Sequence, residues 1–307
     1  MGLRLHWSFR FPNNMRPITF LFLVLLLAAC APVPRLITST PATIPPSETV
    51  KPPTATLTAT LTGTPAFTST WTPLPTLSTL AAEAEIYELL ETNGGCELPC
   101  WWGIVPDETD MNLAAHNLWA FASHKRVGSG NGVTVGEFIF LVSESVSPTK
   151  YFDVTLTSRG KKVEQIDVRY LESSKYEIPA MLQTFGIPTS IWIKTYKSDY
   201  RMPANTVPFV AALFYQDRGI LAMYGETDGQ VIGSTIRGCI VGSAGLTLWA
   251  PDQNLSFDDV ATKGVFYDPY MALDIASGIA PEDFYNRFKN GDKKICIDTP
   301  ANLWPDQ

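Results

Sequence analysis

A short apolar run near the amino terminus limits how much of this 307-residue chain can fold into a globular domain. The run extends from Ile18 to Cys30, follows Arg4, Arg10 and Arg16, and has no acidic residue before it. A helix that crosses a bilayer needs about 20 apolar residues. A run of this length, with basic residues before it, is therefore typical of a secretory signal and not of a membrane span.

The run ends in Leu27-Ala28-Ala29-Cys30, which resembles the lipobox of bacterial lipoproteins. In that family the peptidase cuts before the cysteine, and the thiol carries a diacylglyceryl group. The resemblance implies a signal peptide over residues 1–29, lipidation of Cys30 and a lipid-anchored location in the cell membrane, outside the cytoplasm. The alternatives are an ordinary signal peptide or an anchor helix in which Cys30 has no role.

Residues 30–79 have the composition of a stalk. Roughly half of the residues between Ala31 and Thr79 are Thr or Pro. Such a segment buries too little apolar surface to offset its chain entropy, and proline favours extended polyproline II. We expect a disordered tether, which at about 3.1 Å per residue reaches on the order of 150 Å when extended. It is either an O-glycosylated stalk or a passive spacer.

The rest of the chain, residues 80–307, has the length of one large domain or of two small repeats. Without the three signal arginines, 20 Lys and Arg remain against 30 Asp and Glu, so the exported chain has a net charge near 20 − 30 = −10. Nucleic acid and anionic lipid surfaces are bound through clustered basic residues. The charge therefore disfavours both as main partners and leaves the lipid anchor as the predicted membrane contact.

Hydrophobic patterns in residues 80–307 predict an α+β fold. Helical spacing or helix caps predict helices over residues 80–90, after Thr109, and over residues 177–185 and 281–289. Alternating or compact apolar runs predict strands over residues 137–142, 151–157, 163–171, 190–196, 209–215, 220–226 and 246–249. A helix, a turn and a meander of strands thus occur twice. We expect antiparallel sheet with helices packed on one side, built as a tandem helix-turn-meander pseudo-repeat.

The most distinctive string of the chain is Cys96-Glu97-Leu98-Pro99-Cys100-Trp101-Trp102-Gly103-Ile104. Its cysteines are one residue further apart than in the C-x-x-C redox motif, and no second pair of close ligands supports a zinc site. We expect a structural disulfide with Trp101 and Trp102 packed on it. The alternative is that the two tryptophans form an exposed platform that binds sugar or a partner.

This string resembles the opening of a group of bacterial lipoproteins of unknown function. The resemblance continues in Phe185-Gly186-Ile187-Pro188 and in the segment from Cys296 to Pro305, and it spans the folded part. The group's Pro-Gly-x-Thr turn is altered here to Pro106-Asp107-Glu108-Thr109. A further likeness is to lipoprotein modules of the outer-membrane-assembly and β-lactamase-inhibitor types, in which a helix and a Leu-Gly-x-Pro turn precede an antiparallel sheet.

The four cysteines after the stalk favour two disulfides in a protein outside the cytoplasm. Three pairings are open for Cys96, Cys100, Cys239 and Cys296. Of these we expect Cys96 to bond Cys100 and Cys239 to bond Cys296. The second bond would attach the helix over residues 281–289 to the sheet.

The folded part carries only fragments of known catalytic and metal-binding motifs. His116 and His124 lie about 80° apart around a helix, which is too far for one metal without another ligand. Gly242-Ser243-Ala244-Gly245 has its serine one place early for a nucleophile elbow. The glycine-rich segment from Gly128 to Gly132 predicts a turn. We therefore predict no metal and no cofactor.

The predicted function is a non-catalytic, lipid-anchored module that binds an envelope protein or a glycan. The first alternative is an extracellular glycosidase-like hydrolase whose carboxylate pair would come from Asp258 with Asp259, or from Asp268 with Asp274. It requires a concave site with two carboxyl groups about 5 to 10 Å apart. The second alternative is a purely structural envelope protein, without a deep pocket.

Overall fold

A computed structural model describes residues 77–142, 151–199, 201–240, 244–261, 270–291 and 294–306. The predicted signal peptide, the lipidation residue Cys30 and nearly all of the predicted stalk lie outside these residues. In the part that the structure describes, no helix is both long and apolar enough to cross a membrane.

Six α-helices occur in the described ranges. They are α1 (Thr79–Thr92), α2 (Met111–Trp119), α3 (Ile178–Phe185), α4 (Phe257–Ala261), α5 (Leu273–Ser277) and α6 (Pro281–Phe288). The hydroxyl of Ser78 caps α1 by accepting a hydrogen bond from the Ala81 amide, and a proline lies in the first turn of both α3 and α6. Such residues start helices because the first amides have no partner inside the helix.

The sequence predicts that Thr109 caps α2, but the observed cap is Asp110, one residue later. The side chain of Asp110 accepts hydrogen bonds from the Asn112 and Leu113 amides, whereas the Thr109 hydroxyl accepts one from the Val105 amide, four residues before it. Asp107 holds a left-handed backbone in this turn, with φ of 63°. Thr109 therefore stabilises the turn before α2, and Asp110 starts the helix.

Eleven strands form one sheet in which every pair is antiparallel. They are β1 (His124–Gly130), β2 (Val133–Leu141), β3 (Tyr151–Ser158), β4 (Gln165–Leu171), β5 (Ser190–Thr195), β6 (Thr206–Tyr215), β7 (Ile220–Ile232), β8 (Thr235–Ile240), β9 (Ala244–Trp249), β10 (Tyr270–Ala272) and β11 (Ile295–Pro300). Nine of them run side by side in the order β1-β2-β3-β4-β9-β7-β6-β5-β10. The last residues of β7 pair with β8, which pairs with β11.

The segment from Gly128 to Gly132, predicted to be a turn, is mostly strand. Gly128, Ser129 and Gly130 belong to β1, and only Asn131-Gly132 turns the chain into β2. Both turn residues have positive φ, 53° and 76°. A two-residue hairpin loop of type I′ requires this conformation at both positions, and Asn-Gly adopts it most readily.

The sheet consists of two similar halves, as the tandem pseudo-repeat predicts. In the first half α2 precedes the meander β1 to β4, and in the second α3 precedes β5, β6, β7 and β9, with β8 inserted before β9. The last strands of the halves pair with each other, so that Asp167 of β4 lies opposite Thr247 of β9. We call this β4–β9 pairing the seam.

One face of the sheet, the inner face, carries the main core. Phe138 and Phe140 of β2, and Val154 and Leu156 of β3, are fully buried, and the residues next to them in each strand are half-buried or exposed. Five helices, α1, α2, α3, α5 and α6, contribute buried side chains to the same cluster. Because each fully buried Phe or Leu contributes about 1.5–3 kcal/mol to folding, this alternation fixes which face of each strand points inward.

Among the described residues, a helix covers the opposite, outer face only in the second half. Trp249, Phe214 and Leu221 point outward and form a separate cluster with Phe257 and Val260 of α4. The Phe257 ring stacks on Trp192 with a centroid distance of 4.4 Å. Helix α4 thus lies on the side away from the other five helices, a departure from the predicted one-sided packing.

The loop from Asn93 to Gly103 is organised by the Asn93 side chain, which sequence reasoning did not single out. Its amide nitrogen donates to the carbonyl oxygens of Cys96 and Cys100 at 2.9 and 2.8 Å, and its Oδ1 accepts from the Trp102 amide at 3.2 Å. The residue is buried and has a left-handed φ of 56°.

Replacing Asn93 by alanine is expected to lower the free energy of unfolding by about 2 to 4 kcal/mol, because it orphans buried backbone groups. Chemical denaturation followed by far-UV circular dichroism measures this loss. Asn131→Ala is the matched control, because Asn131 is exposed and has a similar φ of 53°. The control should cost only about 1 kcal/mol for the left-handed backbone. Equal losses in the two variants would show that the hydrogen bonds of Asn93 contribute nothing.

Candidate ligand groove at the seam

A cavity of about 480 Å³ opens on the outer face of the sheet at the seam. We call it the seam groove. Its lining includes Thr157 and Arg159 at the end of β3, Gln165, Asp167 and Arg169 of β4, Gly245 and Thr247 of β9, Met223 of β7, Val133 of β2, and Val260 and Ala261 of α4. Its volume lies in the range of small-molecule sites.

The groove exists because α4 covers the outer face of the second half of the sheet but not that of the first half. Helix α4 packs on the outer face of the second half and ends beside the seam with Val260 and Ala261. The outer residues of β3, Asp153, Thr155 and Thr157, are polar and half-buried instead. The side of α4 is therefore one wall, and the polar outer face of the first half is the other.

Gly245 deepens the groove at its centre. It is an outward residue in the interior of β9, opposite Met223 of β7, and it has no side chain to fill the space above the strand. A Cβ atom built there would meet the Val168 carbonyl oxygen at 3.6 Å and Met223 at 3.9 Å, which are ordinary contacts. Glycine inside a strand often marks close approach of another group to the backbone. The contacts around Gly245 would therefore allow a side chain there, so packing inside the protein does not explain why this residue is glycine.

Asp167 is held in place by its neighbours in the floor of the groove. Both of its carboxylate oxygens accept hydrogen bonds from Gln165 Nε2, at 2.9 and 2.8 Å, and Oδ1 also accepts one from the Thr247 hydroxyl at 2.8 Å. The Thr247 bond crosses the seam from one half to the other. These bonds fix the orientation of the carboxylate and join β4 to β9.

The two arginines of the groove lie on either side of Asp167 along the direction of β4. Arg169 is two residues further along β4, and Arg159 follows the end of β3, where Thr157 lies opposite Gln165. Both side chains are exposed. Within the described residues neither guanidinium group makes an ion pair or a hydrogen bond. The groove therefore presents two cationic donor groups on its polar side.

Asp153 is a carboxyl group close to Arg169, at the end of the groove away from Arg159. It lies directly opposite Arg169 in the β3–β4 pairing. Burial raises the pKa of its carboxyl group above the ordinary value, the Arg169 charge opposes that rise, and the negative charges of Asp167 and Glu137 add to it. Three carboxyl groups and Arg169 thus share one part of the outer face, and the positive charge of Arg169 is partly offset there.

Trp101 and Trp102 are buried, which agrees with the expectation that they pack beside a structural disulfide, and the alternative of an exposed aromatic platform is wrong. Their exposed fractions are 0% and 8%. Their rings stack on each other at 5.3 Å, and Trp102 also meets Phe140 and Phe152 edge to face. The tryptophans follow a disulfide loop and point into the inner core, so they cannot contact a ligand outside.

Both expected disulfides are present in the structure. Cys96 bonds Cys100 within the loop, with Cα atoms 5.9 Å apart. Cys239 of β8 bonds Cys296, its direct neighbour across the pairing with β11. The second bond joins two strands, whereas the sequence suggested a bond from the sheet to the helix before Cys296. Two disulfides are typical of a location outside the cytoplasm.

None of the described residues considered for catalysis lines the groove. Asp259 caps α4, where its Oδ2 accepts from the Ser256 amide and hydroxyl, and Asp258 is exposed beside it. Asp274 is exposed in α5, and Asp268 lies outside the described residues. No group of three His, Cys, Asp or Glu side chains suited to a metal is found in the described ranges. His116 is on α2 and His124 on β1.

The groove residues were missed because the sequence gives only a weak signal for them. Gln165, Asp167 and Arg169 alternate with Ile166 and Val168, and this pattern indicates merely a strand with one wet face. Only the pairing of β4 with β9 places Gly245 and Thr247 beside them. The comparisons with known proteins identify no counterpart: the chain matches no protein-family model, no curated protein and no solved structure.

Proposed function

We propose that this protein is a lipid-anchored binding module that displays the seam groove outside the cytoplasm and takes its ligand there. The single observation that carries the proposal is the groove itself, a cavity of about 480 Å³ at the seam. The two disulfides and the lipobox-like end at Cys30 support the location. The resemblance to lipoproteins and to lipoprotein modules with a helix and an antiparallel sheet is consistent with this role.

Several features favour binding over hydrolysis. The carboxylate in the groove, Asp167, is engaged by Gln165 and Thr247, which orient it as a hydrogen-bond acceptor. Asp153, the nearby carboxyl group with a raised pKa, is not part of the groove lining. A glycosidase needs two carboxyl groups flanking the scissile bond. We therefore propose an envelope ligand, protein or glycan, that is bound and not cleaved, and no nucleic-acid partner.

Photo-crosslinking tests the groove directly. A photoreactive residue placed at Val133, in the groove lining, is expected to crosslink an envelope component, whereas one placed at Glu282 on α6 serves as the matched position away from the groove. Adding Gly245→Val should abolish the crosslink at Val133, because the new side chain fills the centre of the groove. Equal crosslinking at both positions, or persistence in Gly245→Val, would overturn the groove as the binding site.

Metabolic labelling with a fatty-acid analogue tests the anchor. The parent chain should incorporate the label and sediment with membranes, and Cys30→Ala should lose both properties completely, because the thiol is the proposed acceptor. Thr38→Ala, eight residues further along the stalk, should behave like the parent. Unchanged labelling in Cys30→Ala would show that the lipid is not attached there.

A further inference from the structure

We infer that the ligand of the seam groove carries a carboxylate and an apolar body, with Arg159 as the main anchor of the carboxylate and Arg169 as the secondary one. The inference rests on the proposed binding function and deepens it, because it names the chemical class of the ligand. It follows from four observations: the hydrogen-bond inventory of the groove, its geometry, the charges around each arginine, and the apolar wall.

The hydrogen-bond inventory points to a ligand that supplies acceptors. Among the described residues the groove lining has one carboxylate, Asp167, and it accepts three hydrogen bonds from Gln165 and Thr247. Arg159 and Arg169 make no such bonds within the described residues, and each guanidinium group has five donors and no acceptor. A carboxylate can accept two parallel hydrogen bonds from one planar guanidinium group.

The geometry sets the scale of the ligand. Gln165, Asp167 and Arg169 lie on the same face of β4 and span about 13 Å at about 3.3 Å per residue. Arg159 lies beyond the Gln165 end, because Thr157 pairs with Gln165 and the chain turns after Ser158. The two guanidinium groups thus flank Asp167, and a small acid reaches one of them at a time.

The surrounding charges distinguish the two arginines. Arg169 lies opposite Asp153, and the Glu137 and Asp167 carboxylates are near enough to act on Asp153. These carboxylates offset the positive charge at that end. Arg159 shares its turn with Lys161 and Lys162, both exposed, and the intervening Gly160 adds no charge. The Asp153, Glu137 and Asp167 carboxylates therefore offset the charge of Arg159 less than that of Arg169, and an anion is expected to bind best at Arg159.

The opposite wall of the groove is apolar. Met223, Val260 and Ala261 line it, and Val260 is buried within the α4 cluster. A ligand that places its carboxylate at Arg159 can rest its remaining atoms on these side chains. The combination of a cationic wall and an apolar wall fits the carboxyl-terminal residue of an envelope protein when that residue has an aliphatic side chain, and an N-acylated amino acid of this kind is its small chemical equivalent.

Matched acid and amide probes test this assignment. N-acetyl-leucine and N-acetyl-leucinamide differ only in the carboxylate, and isothermal titration to the whole folded protein compares them. We expect the acid to bind about tenfold to hundredfold more tightly, because a hydrogen-bonded charge pair contributes that much. Arg159→Gln should remove most of this preference and Arg169→Gln a smaller part. Arg218→Gln, in the exposed turn after β6, is the control and should leave the preference unchanged.

The outcomes separate this inference from the proposed function. If acid and amide bind equally and Gly245→Val abolishes both, the groove binds ligands but the carboxylate assignment is overturned. If neither probe binds at millimolar concentration, the assignment is also overturned, and the crosslink from Val133 decides the proposed function by itself. Loss of the acid preference in Arg159→Gln, with circular dichroism unchanged, supports the inference.

Discussion

Replacing Trp102 by alanine is expected to lower the free energy of unfolding by about 3–5 kcal/mol, the range for a large aromatic side chain removed from a core. The indole ring is 8% exposed. It stacks on Trp101 at 5.3 Å and meets Phe140 and Phe152 edge to face at 5.4 and 5.7 Å. Its removal would leave a cavity between the disulfide loop and the inner face of the first half.

Trp119→Ala is the matched control for this measurement. Trp119 lies at the end of α2, is 46% exposed and contacts the Lys125 ammonium group at 4.4 Å from its ring centre. Its loss should cost less than about 1 kcal/mol. Urea unfolding followed by far-UV circular dichroism compares the two variants without relying on tryptophan fluorescence. Similar losses in both would mean that Trp102 is not part of the core.

Removing the Cys239–Cys296 bond is expected to cost about 4 kcal/mol, and removing Cys96–Cys100 about 2 kcal/mol. The difference arises because the first bond closes a loop with a sequence separation of 57 residues and the second a loop of 4. A longer closed loop removes more conformations from the unfolded chain. Paired Cys→Ala substitutions at each bond, compared in thermal and urea unfolding, measure both values.

The same pair of variants shows whether each disulfide stabilises the protein by restricting the unfolded chain or by packing in the folded state. In the Cys239/Cys296 variant the Arg237–Asp298 ion pair, bidentate at 2.7 Å, still joins β8 to β11 next to the lost bond. The strands should therefore remain paired in the folded state, with the loss arising in the unfolded chain. A larger loss from removing Cys96–Cys100 would contradict this reasoning and indicate that the short loop stabilises the core by packing.

Most secondary structure followed from local patterns. Alternation over residues 151–157 and the proline-to-glycine signature over residues 177–186 predict β3 and α3 nearly at their observed bounds. Strand β1 was not predicted, because its glycines resemble a loop and both of its faces are exposed. Strands β8, β10 and β11 were also missed. They are short, and they are strands only because of the partners that lie beside them.

The groove could not be predicted from local sequence patterns. Asp167, Thr247 and Gly245 come from separate parts of the chain, and their grouping depends on the pairing of β4 with β9. The burial of the two tryptophans was expected next to a structural disulfide, but the sequence left an exposed platform as the alternative. The Asn93 hydrogen bonds hold the loop so that both rings enter the core, and only the structure decides between the two interpretations.

The sequence by itself determined the α+β class, the doubled helix-and-meander order and the wet and dry faces of the strands, because capping and hydrophobic periodicity act over a few residues. Only the tertiary structure decided that the two halves join through their last strands, that α4 covers one half of the outer face, and that a groove with two arginines remains between them. Strand order and uneven coverage depend on contacts between distant segments, which no local pattern records.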